Sequence, residues 1–145
     1  MLSLSAQPVP PRLGHAAATF ALSAATSRAG RPHSQCIVLI DAQAQVLAHA
    51  NGASHDSNAG ALLFDRAWQA AALCLGIENV GCEHAPELAE CRHCADQGLP
   101  IALPLYRGDV LLGAIGVASD HAADNAGIAE AGRAALSRHF AGAGR

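Results

Sequence analysis

Gly98-Leu99-Pro100-Ile101-Ala102-Leu103-Pro104-Leu105-Tyr106, Arg107-Gly108-Asp109 and Val110-Leu111-Leu112-Gly113-Ala114-Ile115-Gly116-Val117 follow one another without a break. Two apolar runs joined by a short polar segment containing glycine predict a β-hairpin, Leu99 to Tyr106 and Val110 to Ala118, whose glycine supplies a positive φ. After it, Ser119 or Asp120 is the expected cap of a last helix reaching about Phe140, with Ile128, Ala131, Ala135 and Leu136 turned inward. A hairpin feeding an amphipathic helix occurs in many folds and names no chemistry by itself.

Working outward, the first half repeats the same grammar. Leu13, Ala17, Phe20, Ala21 and Ala24 recur at helical spacing until Gly30-Arg31-Pro32 stops them. Cys36 to Ile40 and Val46 to Ala50 are apolar runs around a polar Asp41-to-Gln45 turn and predict a second hairpin. Asn51 to Asn58 is rich in turn formers. Ala59 to Leu75 restores the helical period, and Gly76 is placed to end it. The segment from Asn79 to Gln97 is irregular, with Pro86 to Glu90 long enough for a short helix. The resulting order, α-β-β-α-α-β-β(β)-α, predicts an α+β domain in which helices cover an antiparallel sheet. Residues 1–10, polar and Pro-rich, read as a flexible arm, 11–140 as a single domain, and 141–145 as a frayed tail.

Composition limits the function classes. At 145 residues the chain has the size of one domain. Its residues are 51% hydrophobic but only 3% aromatic, so Ala, Leu, Val, Ile and closely packed Gly must fill the core. The formal charge is −3 and no Lys/Arg cluster exists, which argues against nucleic acid as a partner. Charged residues or His interrupt every apolar run before the roughly 20 residues that a membrane-spanning helix needs. Five cysteines, an odd number, fit reduced thiols or metal ligands better than a disulfide framework and point to the cytoplasm.

Taken together, several of these segments resemble the GlcG/HbpS family, a heme-binding domain also found at the C-terminus of some corrinoid adenosyltransferases. The carriers are Ile37-Val38-Leu39-Ile40-Asp41 leading to Val46-Leu47-Ala48, then Asn51-Gly52-Ala53, Arg66-Ala67-Trp68-Gln69-Ala70-Ala71 and Gly98-Leu99-Pro100-Ile101. Gly113-Ala114-Ile115-Gly116-Val117 and Asp124 with Ile128-Ala129 and Ala131-Gly132 complete the set. The resemblance covers roughly residues 12 to 138. It implies a profilin-like fold with a five-stranded antiparallel sheet, homo-oligomers, and a tetrapyrrole bound near subunit contacts. It also singles out His15 on the first helix and His49 on the hairpin edge as candidate heme ligands. The chain departs from the family pattern at Gln43-Ala44, where Gly-Gly is usual, and at His49 and Asn51, where Arg and Asp are usual.

Two constellations bear on chemistry. Eight histidines with few aromatics suit heme, since a neutral imidazole ligates iron while apolar side chains wall off the ring. Cys82, His84, Cys91, His93 and Cys94 lie within 13 positions, and Cys91-x-x-Cys94 has the spacing of a zinc knuckle. Ala95 stands where a covalent heme signature needs His, so attachment through these thiols is not expected. Ser54-His55-Asp56 are adjacent and cannot form a relay, and no acid/base pair stands out, so the residues name no reaction and leave enzymatic activity open. Three readings follow: a non-catalytic heme-binding protein, a small-ligand sensing module of GAF or PAS type built on the Leu103-to-Val117 strands, or an interaction protein with structural zinc in the Cys82–Cys94 loop.

Overall fold

The computed structural model describes residues 12–29, 35–51, 57–76, 100–119 and 124–143. Three helices, α1 (His15–Ala29), α2 (Ser57–Cys74) and α3 (Asn125–Ala143), surround strands β1 (Gln35–Asp41), β2 (Val46–Asn51), β3 (Ile101–Arg107) and β4 (Val110–Ser119). All pairings are antiparallel and the strand order is β2-β1-β4-β3. The α+β class and both hairpins stand as the sequence predicts. Among the described residues the sheet has four strands; the fifth implied by the resemblance is not among them.

The two central strands explain their own sequence. Along β1, Ile37 and Leu39 join one cluster while Cys36, Val38 and Ile40 join the other. A strand buried on both faces needs apolar side chains at every position, which is why Cys36 to Ile40 shows no alternation. One face is covered by α1 and α3 and the other by α2. On the first face Ala17, Ala18, Ala21 and Ala25 of α1 are buried, and their small side chains let α3 approach. Gly132 of α3 belongs to this contact: a Cβ there would lie 2.6 Å from Ile115 Cδ1 and 3.3 Å from the Ala21 carbonyl oxygen. Phe20, counted inward by its spacing, is 47% exposed, and Ala24 is only half-buried. The buried stripe runs through Ala18 and Ala25 instead, one position further round the helix.

On the opposite face the glycines of β4 set the distance to α2. A Cβ on Gly116 would meet the Ala67 carbonyl oxygen at 2.2 Å, so the helix backbone rests directly on the strand. The thiol of Cys36, within this layer, is fully buried, and loss of hydration pushes its pKa from 9.0 up to about 12. Because the folded value is the raised one, this group leaves stability unchanged below pH 9. Above that, the unfolded chain gives up the proton while the folded chain keeps it, and stability falls as pH rises toward 12. Urea unfolding at pH 8 and pH 10.5 should therefore show a steeper alkaline loss for the native chain than for Cys36→Ala.

The turns follow local chemistry. Gly108 opens the β3–β4 turn with φ 61°, as the hairpin reading requires. Between β1 and β2, the Asp41 carboxylate accepts hydrogen bonds from the amides of Gln43 and Gln45 (2.9 and 3.0 Å), and Ala44 adopts φ 65°. From the other side the Trp68 indole donates to the Ala44 carbonyl at 3.1 Å. Ala44 thus holds a left-handed backbone conformation that favours glycine. An L side chain there costs about 1 kcal/mol, and the greater freedom of glycine in the unfolded chain offsets part of that, so Ala44→Gly should stabilise the chain by about 0.5 kcal/mol in urea denaturation.

The last helix starts later than expected. Ser119 ends β4, paired with Gln35, and its hydroxyl accepts a hydrogen bond from Asn125 Nδ2 at 3.1 Å. The cap is Asp124: its side chain accepts from the Gly127 amide at 3.1 Å and its carbonyl from the Ile128 amide at 3.0 Å. Arg28 at the end of α1 pairs with the same carboxylate. At its far end α3 continues to Ala143, past the expected stop near Phe140.

Candidate functional site

His15 is the first residue of α1; the preceding Gly14 supplies the carbonyl that accepts the first helical hydrogen bond, from Ala18 N at 3.0 Å. The His15 ring is on the surface, with Nδ1 3.2 Å from the carbonyl oxygen of Leu47 on β2. A carbonyl can only accept, so Nδ1 carries the hydrogen and Nε2 is left as the nitrogen able to take a metal. Leu47 is available because the β1–β2 ladder slips there: Leu39 pairs with Ala48 and Ile40 with Val46, leaving Leu47 opposite no partner. A β-bulge of this kind re-aims the backbone of an edge strand, and here it serves the histidine.

His49, two residues further along β2, serves another surface. Its ring meets Phe64 of α2 edge-on, with centroids 5.2 Å apart and planes at 82°. The two candidate ligands thus stand on different faces of the sheet, His15 with α1 and His49 against α2, and the fold does not bring them together. His139, the third histidine among the described residues, packs between Phe20 (5.2 Å) and Phe140 (5.9 Å). Arg107 lies over the Phe140 ring at 4.7 Å. Cys82, His84, Cys91, His93 and Cys94 lie outside the described residues. Among the described residues no group of three or more His, Cys, Asp or Glu side chains could hold a metal ion.

Beside His15 opens a cleft of about 590 Å³, within the roughly 300–1,000 Å³ of ligand pockets. Arg12 and Leu13 form one wall, the Asp41-to-Gln45 turn the second, and Val110, Leu111 and Leu112 the third. His15 does not line it, but the cleft's residues flank the histidine in sequence: Leu13 precedes it by two residues, and Gln45 precedes its partner Leu47 by two. Nothing in the sequence marked this cleft, because its walls come from three segments with no motif among them. The chemistry it offers is a guanidinium, a carboxylate and two side-chain amides beside apolar side chains.

No helix among the described residues is long and apolar enough to cross a membrane. No family model and no curated sequence matches the chain. Solved structures do. A double mutant of HbpS from Streptomyces reticuli aligns over 90% of this chain and 91% of its own, with TM-score 0.62 and 22% identity. The chain has the HbpS fold. Protein ORFY of Klebsiella pneumoniae aligns over 90% of this chain and 95% of its own (TM-score 0.56, 14% identity). PduOC, crystallised as a heme complex, aligns over 86% and 95% (TM-score 0.54, 16% identity). Because each HbpS-fold neighbour is spanned almost end to end, the similarity lies in the whole domain and not in a shared hairpin.

Proposed function

We propose that the chain is a heme-binding protein of the GlcG/HbpS type in which His15 ligates the iron. The observation that carries this reading is the His15 Nδ1 to Leu47 carbonyl hydrogen bond. Metal-binding histidines are held in this way: the second ring nitrogen is donated to a carbonyl or carboxylate, which fixes tautomer and ring orientation and raises the basicity of the ligating nitrogen. The helix start and the bulged edge strand provide that support before any ligand arrives. The adjoining cleft supplies apolar contact through the exposed Val110 and the half-buried Leu111, over the core residues Leu13 and Leu112. Heme, held through His15, would supply a redox-active iron. The residues of the chain would bind and orient it, His15 through its Nε2. The PduOC heme complex and the HbpS neighbours support this reading at the level of the fold. The profilin-like five-stranded sheet and the homo-oligomeric state implied by the resemblance belong to the same proposal.

A hemin titration of the purified chain, read in the visible region against free hemin, tests it. A saturable Soret band at about one equivalent per chain or per dimer is expected; a trace identical to the free-hemin blank would overturn the proposal.

A further inference from the structure

We propose that the cleft beside His15 receives the carboxylates of the bound tetrapyrrole, with Arg12 as their anchor and Gln43 and Gln45 as neutral donors. The inference rests on the heme reading above and specifies which edge of the ligand faces which part of the chain. Three observations carry it. First, the cleft and the His15–Leu47 contact are built from the same two pieces of backbone, the chain entering α1 and the chain entering β2, which puts the cleft within reach of a large planar ligand held at His15. Second, Arg12 lines the cleft and makes no ion pair among the described residues, whereas Arg28 and Arg133 are each engaged with a carboxylate. A guanidinium presents a planar fork that matches a carboxylate with two parallel hydrogen bonds. Third, the acidic group on the same cleft, Asp41, has one carboxylate oxygen committed to two backbone amides of its own turn, 2.9 Å from Gln43 N and 3.0 Å from Gln45 N. Those two amide dipoles, both on Oδ1, offset part of its charge and so lessen its repulsion of an incoming anion.

The arrangement discriminates among tetrapyrroles by their charged edge. Ring and iron are read by His15 with Val110 and Leu111, and the acid side chains by Arg12. Esterifying both acids of the ligand removes the group that Arg12 reads and leaves the ring and metal intact.

The test compares hemin with hemin dimethyl ester on the native chain, Arg12→Ala, Arg12→Lys and His15→Ala. Arg12→Ala should weaken hemin about tenfold, the scale of one partly exposed charge-assisted contact, and leave the ester's affinity and the Soret position unchanged. Arg12→Lys should restore part of the hemin affinity. Because Arg12 is exposed and precedes the helix, the variants should keep the native melting temperature. Equal affinity of hemin for the native chain and Arg12→Ala, or an equal loss for hemin and ester, would overturn the carboxylate assignment while leaving heme binding standing. If instead neither ligand gives a saturable Soret band on the native chain, the heme reading fails and this assignment fails with it; if His15→Ala leaves the band in place for both, the iron is held elsewhere and this assignment falls while heme binding stands.

Discussion

Gly116→Ala is expected to lower the stability of the chain by about 3 kcal/mol, the upper end of what overpacking by one methyl usually costs. For a chain of this length that is a fall in melting temperature of about 10 °C. The added carbon would sit 2.2 Å from the Ala67 carbonyl oxygen and 3.2 Å from the Ala71 Cβ. The first of these is backbone in the middle of α2, so no side-chain rotation relieves it; the helix must lift from β4. Lifting it also loosens Val38, Ile40, Ala67, Ala70 and Ala71, which share one buried layer. Thermal unfolding by circular dichroism reads the effect directly. A melting point within about 2 °C of native, a small fraction of the expected fall, would show that α2 does not rest on β4 as closely as described. Gly108→Ala makes a useful contrast, because open space surrounds Gly108 and only its φ of 61° resists a side chain. It should cost about 1 kcal/mol.

The second large effect is on the ligand. His15→Ala should weaken hemin binding by about a hundredfold and shift the Soret maximum of whatever remains, since both affinity and spectrum depend on the axial nitrogen. The same change should leave the fold intact: the ring is exposed and only its hydrogen bond to Leu47 is lost, at about 1 kcal/mol. His49→Ala is the control, because that ring packs against Phe64 on the α2 side and should leave the Soret position where it was. The reverse pattern, with His49→Ala moving the band and His15→Ala silent, would transfer the site to the other face. Visible spectra of the two variants titrated with hemin decide between them.

How far the sequence is legible depends on how local the determinant is. The hairpins are written in short runs, Cys36 to Ile40 and Val110 to Ala118 above all, and their boundaries agree with the structure to within a residue or two. Helix starts are less legible because capping candidates compete: Ser119 has the right chemistry, yet its hydroxyl is taken by Asn125 and Asp124 does the capping. Phe20 fits the periodicity of α1 and still faces outward, since an Ala-lined helix packs closest through its smallest residues. The site is half legible. Resemblance singles out His15 but does not separate it from His49, as the difference lies in which face of the sheet each meets. The Leu47 carbonyl and Arg12 carry no signal at all, one being a backbone atom exposed by a register slip and the other a lone arginine. Ala44 is the opposite case: a residue that reads as a mere departure from a family pattern marks a strained turn.

That turn carries its own optical probe. Trp68 is the sole tryptophan of the chain, and its indole nitrogen is tied to the Ala44 carbonyl. Its fluorescence therefore belongs to one hydrogen bond across one turn. Opening the Asp41-to-Gln45 segment hydrates the indole and moves its emission to longer wavelength, even while the rest of the sheet holds. In the ligand-free chain, a red shift that precedes the loss of circular dichroism in urea would time the opening of the cleft's second wall separately from global unfolding, with no label added.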